Sequence, residues 1–208
     1  MPYTFDIPLI AILRGIQPDE VLEHVAALLE SGFTAIEIPT NSPDWQESLA
    51  RTVKHFGARA LFGAGTVLQP EQVDTLATLG GRLLVTPNTN PAVIRQGVEY
   101  GMLVCAGCAT ATEAFTALEA GAQVLKIFPS SSFGADYIKA LKAVLPDNVP
   151  VLAVGGVTPA NLASWLQAGC AGAGLGSDLY RPGQSAAHTR LQADAFMTAY
   201  REITVNKH

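Results

Sequence analysis

The chain has 208 residues, enough for one sizeable core, and its 13 basic and 18 acidic side chains leave a net charge of -5 with no basic stretch to neutralise a nucleic-acid backbone. Charged residues make up 15% of it, well below the roughly 25% usual in soluble domains, and apolar residues 49%, so either much of the chain is buried or part of its surface is covered by another subunit. No apolar stretch approaches the ~18 residues that span a bilayer, Met1 to Asp6 lacks the pattern of a secretory signal, and three cysteines make no disulfide framework, which together point to a reducing cytoplasm and no membrane partner.

Short apolar runs alternate with segments of helical spacing along the whole length. The runs are Leu9 to Leu13, Ala35 to Ile38, Ala60 to Gly63, Leu83 to Thr86, Leu103 to Ala106, Val124 to Phe128, Val151 to Val154 and Gly172 to Leu175, recurring every 20 to 30 residues. Between them stand helix starts at Pro18-Asp19-Glu20, Ser42-Pro43-Asp44, Pro70-Glu71, Thr110 to Glu113 and Thr158-Pro159, where a first-turn proline or a Thr three residues before a Glu satisfies free N–H groups. Glycines after Ser31, Leu79, Tyr100, Ala120 and Ala168 mark the stops. Near-continuous apolar strands suit a parallel sheet covered by helices. Eight such units with no break in composition predict an α/β fold, a (β/α)8 TIM barrel forming one domain over residues 1–208.

Barrel chemistry sits where the strands end, so the polar residues that close apolar runs are the informative ones. In order they are Arg14, Glu37, Gly65-Thr66, Thr86-Pro87-Asn88, Lys126, Gly155-Gly156 and Gly176-Ser177. Of five lysines, only Lys126 is embedded in a strand-like run. Burying an ammonium is costly unless it is paired or loses its proton, and a lysine freed of its proton is a nucleophile toward carbonyls. Glu37 also stands among apolar neighbours, where burial raises a carboxyl pKa and poises it to carry protons. Its alternative is a buried ion pair with Arg14 or Lys126. Paired glycines after the seventh and eighth runs let backbone N–H groups converge on a phosphate, with the Ser177 hydroxyl beside them. Cys105 and Cys108 form a C-x-x-C without the second pair that zinc needs, and read as reduced, partly buried thiols. The four histidines make no metal spacing, and no G-x-G-x-x-G follows the first strand, so neither a metal nor a dinucleotide cofactor is indicated.

Taken together, Ile12-Leu13-Arg14-Gly15, Ile36-Glu37-Ile38-Pro39, Gly63-Ala64-Gly65-Thr66-Val67, Lys126-Ile127-Phe128-Pro129 and Val154-Gly155-Gly156-Val157 resemble the class I aldolases that cleave 2-keto-3-deoxy-6-phospho sugar acids. The resemblance covers nearly the whole chain. It implies a cytoplasmic, metal-free homotrimer of sugar-acid catabolism without a cofactor. Lys126 would form a Schiff base and Glu37 shuttle protons. Arg14 and Thr66 would hold the pyruvyl carboxylate with Pro87 near the keto acid, and Gly155, Gly156, Gly176 and Ser177 the phosphate. Ala153-Val154 stands where gluco-specific relatives usually have Pro-Thr, which favours the galacto epimer. Two other functions fit the residues: another phosphate-binding barrel enzyme, of the thiamine-phosphate synthase or isomerase kind, which needs no lysine in strand six, and a non-catalytic sugar-phosphate sensor.

Overall fold

A computed structural model describes residues 7–205, so Met1 to Asp6 and Asn206 to His208 lie outside the described residues. Eight strands carry the frame: β1 (Leu9–Ile12), β2 (Ala35–Pro39), β3 (Leu61–Gly65), β4 (Leu83–Val85), β5 (Leu103–Cys108), β6 (Val124–Ile127), β7 (Val151–Val154) and β8 (Gly172–Leu175). They pair in chain order, all parallel, and β1 closes on β8. The ring is a (β/α)8 barrel. Around it run α1 (Val21–Ser31), α2 (Trp45–Phe56), α3 (Pro70–Thr78), α4 (Pro91–Glu99), α5 (Ala111–Glu119), α6 (Ser130–Phe133), α7 (Ala135–Lys142), α8 (Leu162–Gln167) and α9 (Ala186–Val205). Among the described residues no helix is long and apolar enough to cross a membrane.

The parity of the strands divides the apolar residues into two cores. Ile10, Ile12, Ala35, Leu83, Val85, Cys105, Val124, Leu152 and Val154 belong to the set that fills the barrel. The alternate strand positions face outward and join the helices in a larger layer that includes Ala11, Ile36, Ala64, Leu84, Val104 and Leu125. This division also disposes of the C-x-x-C. Cys105 and Cys108, three apart on one strand, fall in opposite cores, and both are buried and free. They are more deeply buried than the sequence suggests, and burial pushes both thiols up to about 12.

Some elements begin and end for the expected local reasons and others do not: α1 and α2 start at Val21 and Trp45, after Pro18 and Pro43, and β5 runs on to Cys108. Thr110 and Glu113 form the capping box at the start of α5, and Pro70 occupies the first turn of α3. Gly32 ends α1 with φ at 101°, and Phe33 N–H reaches back to the Leu28 carbonyl at 3.0 Å. Helix α8, however, begins at Leu162 rather than at Thr158-Pro159. Thr158 N–H donates to Asn161 Oδ1 at 2.8 Å and Asn161 N–H to Thr158 Oγ1 at 3.2 Å, a closed turn that delays the helix by one cycle. Strand β3 runs on to Gly65, because parallel pairing with β2 continues as far as Pro39 opposite Gly65.

Behind the site, buried hydroxyls fasten the strand ends. Ser130 Oγ donates to the Ile127 carbonyl at 2.7 Å and accepts from Val154 N–H at 3.0 Å, so the end of β6 is tied to the end of β7. Thr86 Oγ1 does the same between β4 and β5, donating to the Asn88 carbonyl at 2.6 Å and accepting from Gly107 N–H at 3.0 Å. Thr86 therefore serves the scaffold, and its neighbour Pro87 is the residue presented to the mouth of the barrel.

Candidate active site

In a ring of eight, β2 and β6 are four strands apart and face each other across the barrel. Glu37 shares its parity with Ala35, and Lys126 with Val124, so both side chains enter the interior from opposite walls. Both are almost wholly buried, Glu37 at 1% exposure and Lys126 at 4%. Lys126 also reaches the wall of a cavity of about 520 Å³ at the C-terminal ends of the strands.

Burial lowers the Lys126 pKa from its ordinary value, against the opposing pull of Glu37 and Cys105, while the Arg14 charge adds to the lowering. The Lys126 Nζ atom stands 4.9 Å from the centroid of the Phe128 ring. Across the barrel, burial pushes the Glu37 carboxyl up to about 7, with Lys126, Arg14 and the Gly65 backbone pulling it back. Among the described residues Glu37 makes no ion pair within 4 Å, and its Oε2 atom has no hydrogen-bond partner. A static ion pair with Arg14 or Lys126, the alternative role for this carboxylate, is therefore not formed. The acid sits at the centre with a free lone pair.

Gly65 makes this placement possible. A Cβ built there would lie 2.2 Å from Glu37 Cδ and from both carboxylate oxygens. Because the obstacle is the end of a flexible side chain, Gly65→Ala should keep the fold and displace the carboxylate. Misplacing a catalytic group by about 1 Å costs on the order of 100-fold, and kcat of that variant should fall accordingly. An unchanged thermal melt alongside the fall would locate the defect at Glu37, and full activity would refute the role of Gly65.

Arg14, Thr66 and Pro87 line the cavity after β1, β3 and β4. Arg14 Nη1 donates to Asn41 Oδ1 at 2.7 Å, and Nη2 to Thr66 Oγ1 at 3.3 Å, which aims the guanidinium over β2 and β3. Thr66 has φ at 55°, a left-handed conformation that costs a β-branched residue on the order of 1–3 kcal/mol and is characteristic of functional sites. Its carbonyl accepts from Thr40 Oγ1 at 2.6 Å, one of the bonds that hold it there. After β7 and β8, the wall consists of Gly155, Gly156, Gly176 and Ser177. Gly156, at φ 72°, approaches Ser131 so closely that a Cβ would lie 2.7 Å from the Ser131 Cβ. Every substrate-binding residue expected from the sequence thus reaches one cavity, and Glu37 alone is not part of its wall.

The family model for KDPG and KHG aldolases matches residues 4–191, a span that contains this entire site. The chain belongs to the KDPG and KHG aldolase family. Among the relatives of this aldolase, the 2-dehydro-3-deoxy-6-phosphogalactonate aldolase of Escherichia coli (strain K12) is 66% identical over 202 residues, covering 97% of this chain and 98% of its own. A solved structure described as native KDPGal superposes with a TM-score of 0.97 at 65% identity, covering 99% of this chain and 100% of the other. A third similar structure, a cube-shaped porous cage designed by fusing symmetric oligomeric domains, has a TM-score of 0.96 at 66% identity, over 97% of this chain and 75% of the other.

The aldolase site also contains residues that sequence reasoning missed. Asn41 orients Arg14, Phe128 lies against Lys126, and Asp178, Tyr180 and Arg181 extend the wall beyond Ser177. Phe128 carried a signal, since it follows the lysine inside the same run. Asn41 carried none, because its role depends on where a loop after β2 meets one after β1. Among the described residues, no three His, Cys, Asp or Glu side chains gather as a metal site.

Proposed function

We propose that this lyase is a class I, Schiff-base aldolase that cleaves 2-dehydro-3-deoxy-6-phospho-D-galactonate to pyruvate and D-glyceraldehyde 3-phosphate in galactonate catabolism. The observation that carries the reaction is the Lys126 amine, buried on a strand, lowered in pKa and open to the cavity. The uncharged amine attacks the C2 ketone, and loss of water leaves an imine. Protonated, that imine accepts the electron pair of the C3–C4 bond as the C4 hydroxyl gives its proton to Glu37. The aldehyde departs and an enamine remains. Glu37 returns the proton to C3, and water releases pyruvate and regenerates the amine. In this scheme a bridging water carries the proton between Glu37 and the substrate. A carboxyl poised at about 7 both takes and gives protons near neutral pH. The protonated imine is the electron sink, so the reaction needs no metal and no organic cofactor.

Arg14 neutralises the substrate carboxylate, Thr66 and Pro87 shape that end, and Gly155, Gly156, Gly176 and Ser177 take the phosphate. Val154 favours the galacto epimer: it lines the cavity with two methyl groups where a hydroxyl would serve the gluco C4. The similarity to the galactonate-side relative supports the same choice. Lactate dehydrogenase-coupled rates on both C4 epimers test it. We expect kcat/KM at least about 10-fold higher for the galacto compound, the scale of one altered pocket contact. Equal rates or a gluco preference would overturn the assignment, and binding without pyruvate release would indicate a sensor instead.

The three free, buried thiols fit a reducing cytoplasm. The exposed apolar side chains Leu68, Phe115, Phe133, Val144 and Leu191, with the low charge fraction, fit a homotrimer.

A further inference from the structure

The loop after β8 carries a cation that the reaction scheme does not use. Arg181 lines the cavity beside Gly156, Gly176 and Ser177. Its Nε donates to the Ser177 carbonyl at 2.7 Å, and its backbone N–H donates to Gln184 Oε1 at 3.0 Å. Gln184 Nε2 in turn donates to the Leu179 carbonyl at 2.9 Å and to Thr189 Oγ1 at 2.7 Å. Nearby, Tyr180 Oη donates to Glu20 Oε1 at 2.8 Å, and Pro182 lies so close to Gly15 that a Cβ on Gly15 would be 2.7 Å from its ring. The loop is thus braced against α9 on one side and against the β1–α1 connection on the other.

One edge of the Arg181 guanidinium is occupied by Ser177, and the Nη edge is left for a ligand. Among the described residues no carboxylate comes within 4 Å of it, Asp178 on the same wall included. The backbone N–H groups of Gly155, Gly156, Gly176 and Ser177 offer hydrogen bonds but no formal charge, whereas a phosphate monoester carries up to two negative charges near neutral pH. Arg14 is aimed the other way, over β2 and β3, and Lys126 is reserved for the ketone.

We propose that Arg181 is a specificity-determining residue that binds the substrate phosphate through its Nη edge while Nε stays on the Ser177 carbonyl. The pocket then holds one arginine for each anionic end of the substrate. The planar fork of a guanidinium matches two phosphate oxygens, a geometry that the neighbouring glycines cannot supply. This rests on the phosphorylated sugar-acid reading above and adds the group that enforces phosphorylation.

The test compares wild type, Arg181→Gln and Arg181→Lys on the phosphorylated keto-deoxy acid and on its unphosphorylated counterpart, with inorganic phosphate as a competitive inhibitor. Glutamine can still donate to the Ser177 carbonyl but carries no charge; lysine keeps the charge without the fork. In Arg181→Gln, the kcat/KM ratio of phosphorylated to unphosphorylated substrate should fall about 10- to 100-fold, as for a lost charge-assisted hydrogen bond. The phosphate inhibition constant should rise by a similar factor, and Arg181→Lys should recover part of both. An unchanged ratio, or equal losses on both substrates, would overturn the proposal and make Arg181 a packing residue of the loop. A wild type indifferent to the phosphate would overturn it too, and borohydride trapping of pyruvate on Lys126 would show separately whether the aldolase reading survives.

Discussion

Lys126→Met should reduce pyruvate release by on the order of 10⁴-fold or more, because no other amine on the cavity wall can form the imine. Methionine matches the length of the lysine stem, and the barrel interior around position 126 is apolar, so the fold should be kept or strengthened. Wild-type protein treated with pyruvate and borohydride should gain the mass of one three-carbon adduct, located on Lys126 by peptide mapping. The Met variant should gain none. A wild type whose mass does not change, or an adduct at another lysine, would end the Schiff-base mechanism. The flanking Phe128 ring, 4.9 Å from Nζ, offers a favourable face to the amine when it is charged and to the iminium that replaces it.

Glu37→Gln separates imine formation from proton transfer. Trapping on Lys126 should persist while kcat falls about 10² to 10⁴-fold, the range for loss of a general acid–base group. The proposed mechanism uses the carboxylate in bond cleavage, so the wild-type rate should climb as pH rises through about 7, and this limb should vanish in the Gln variant. Stability should move in the opposite sense. The fold raises the Glu37 pKa from 4.5 to about 7 and so favours the protonated form. Stability present below 4.5 is lost as pH rises through 7, whereas glutamine does not titrate. Urea unfolding should therefore show the Gln variant gaining on the wild type up to about pH 8, by about 3 kcal/mol. A constant difference across that range would mean that Glu37 titrates normally, and normal turnover in the variant would remove it from the chemistry.

The barrel was legible because each strand is a short apolar run with its own start and stop signals, and those signals act locally. Lys126 and Glu37 were legible for a related reason: a charge inside such a run is out of place wherever the run ends up. The gaps lie where the decisive partner is remote in sequence. Gly65 reads only as a residue that closes the third run, and its use appears when β3 is extended alongside β2 and the Glu37 carboxylate occupies the room its missing side chain leaves. Arg181 has no signal in the sequence, because its place on the cavity wall depends on the bond from its Nε to the Ser177 carbonyl. Thr158-Pro159 misplaced a helix start because the side-chain oxygens of Thr158 and Asn161 each accept from the other's backbone N–H before the helix begins.

At the seam where β1 meets β8, the first and last of the described strands pair. Arg14 follows one side of that seam and Ser177 the other, so a ligand that touches both acts as a clasp on the ring. Such a clasp has no counterpart in an opened barrel, and its binding energy is therefore spent on keeping the first and last strands together. Substrate should accordingly slow the fraying of β1 from β8. Binding of a substrate that touches both sides of the seam should therefore raise the stability of the closed ring by mass action.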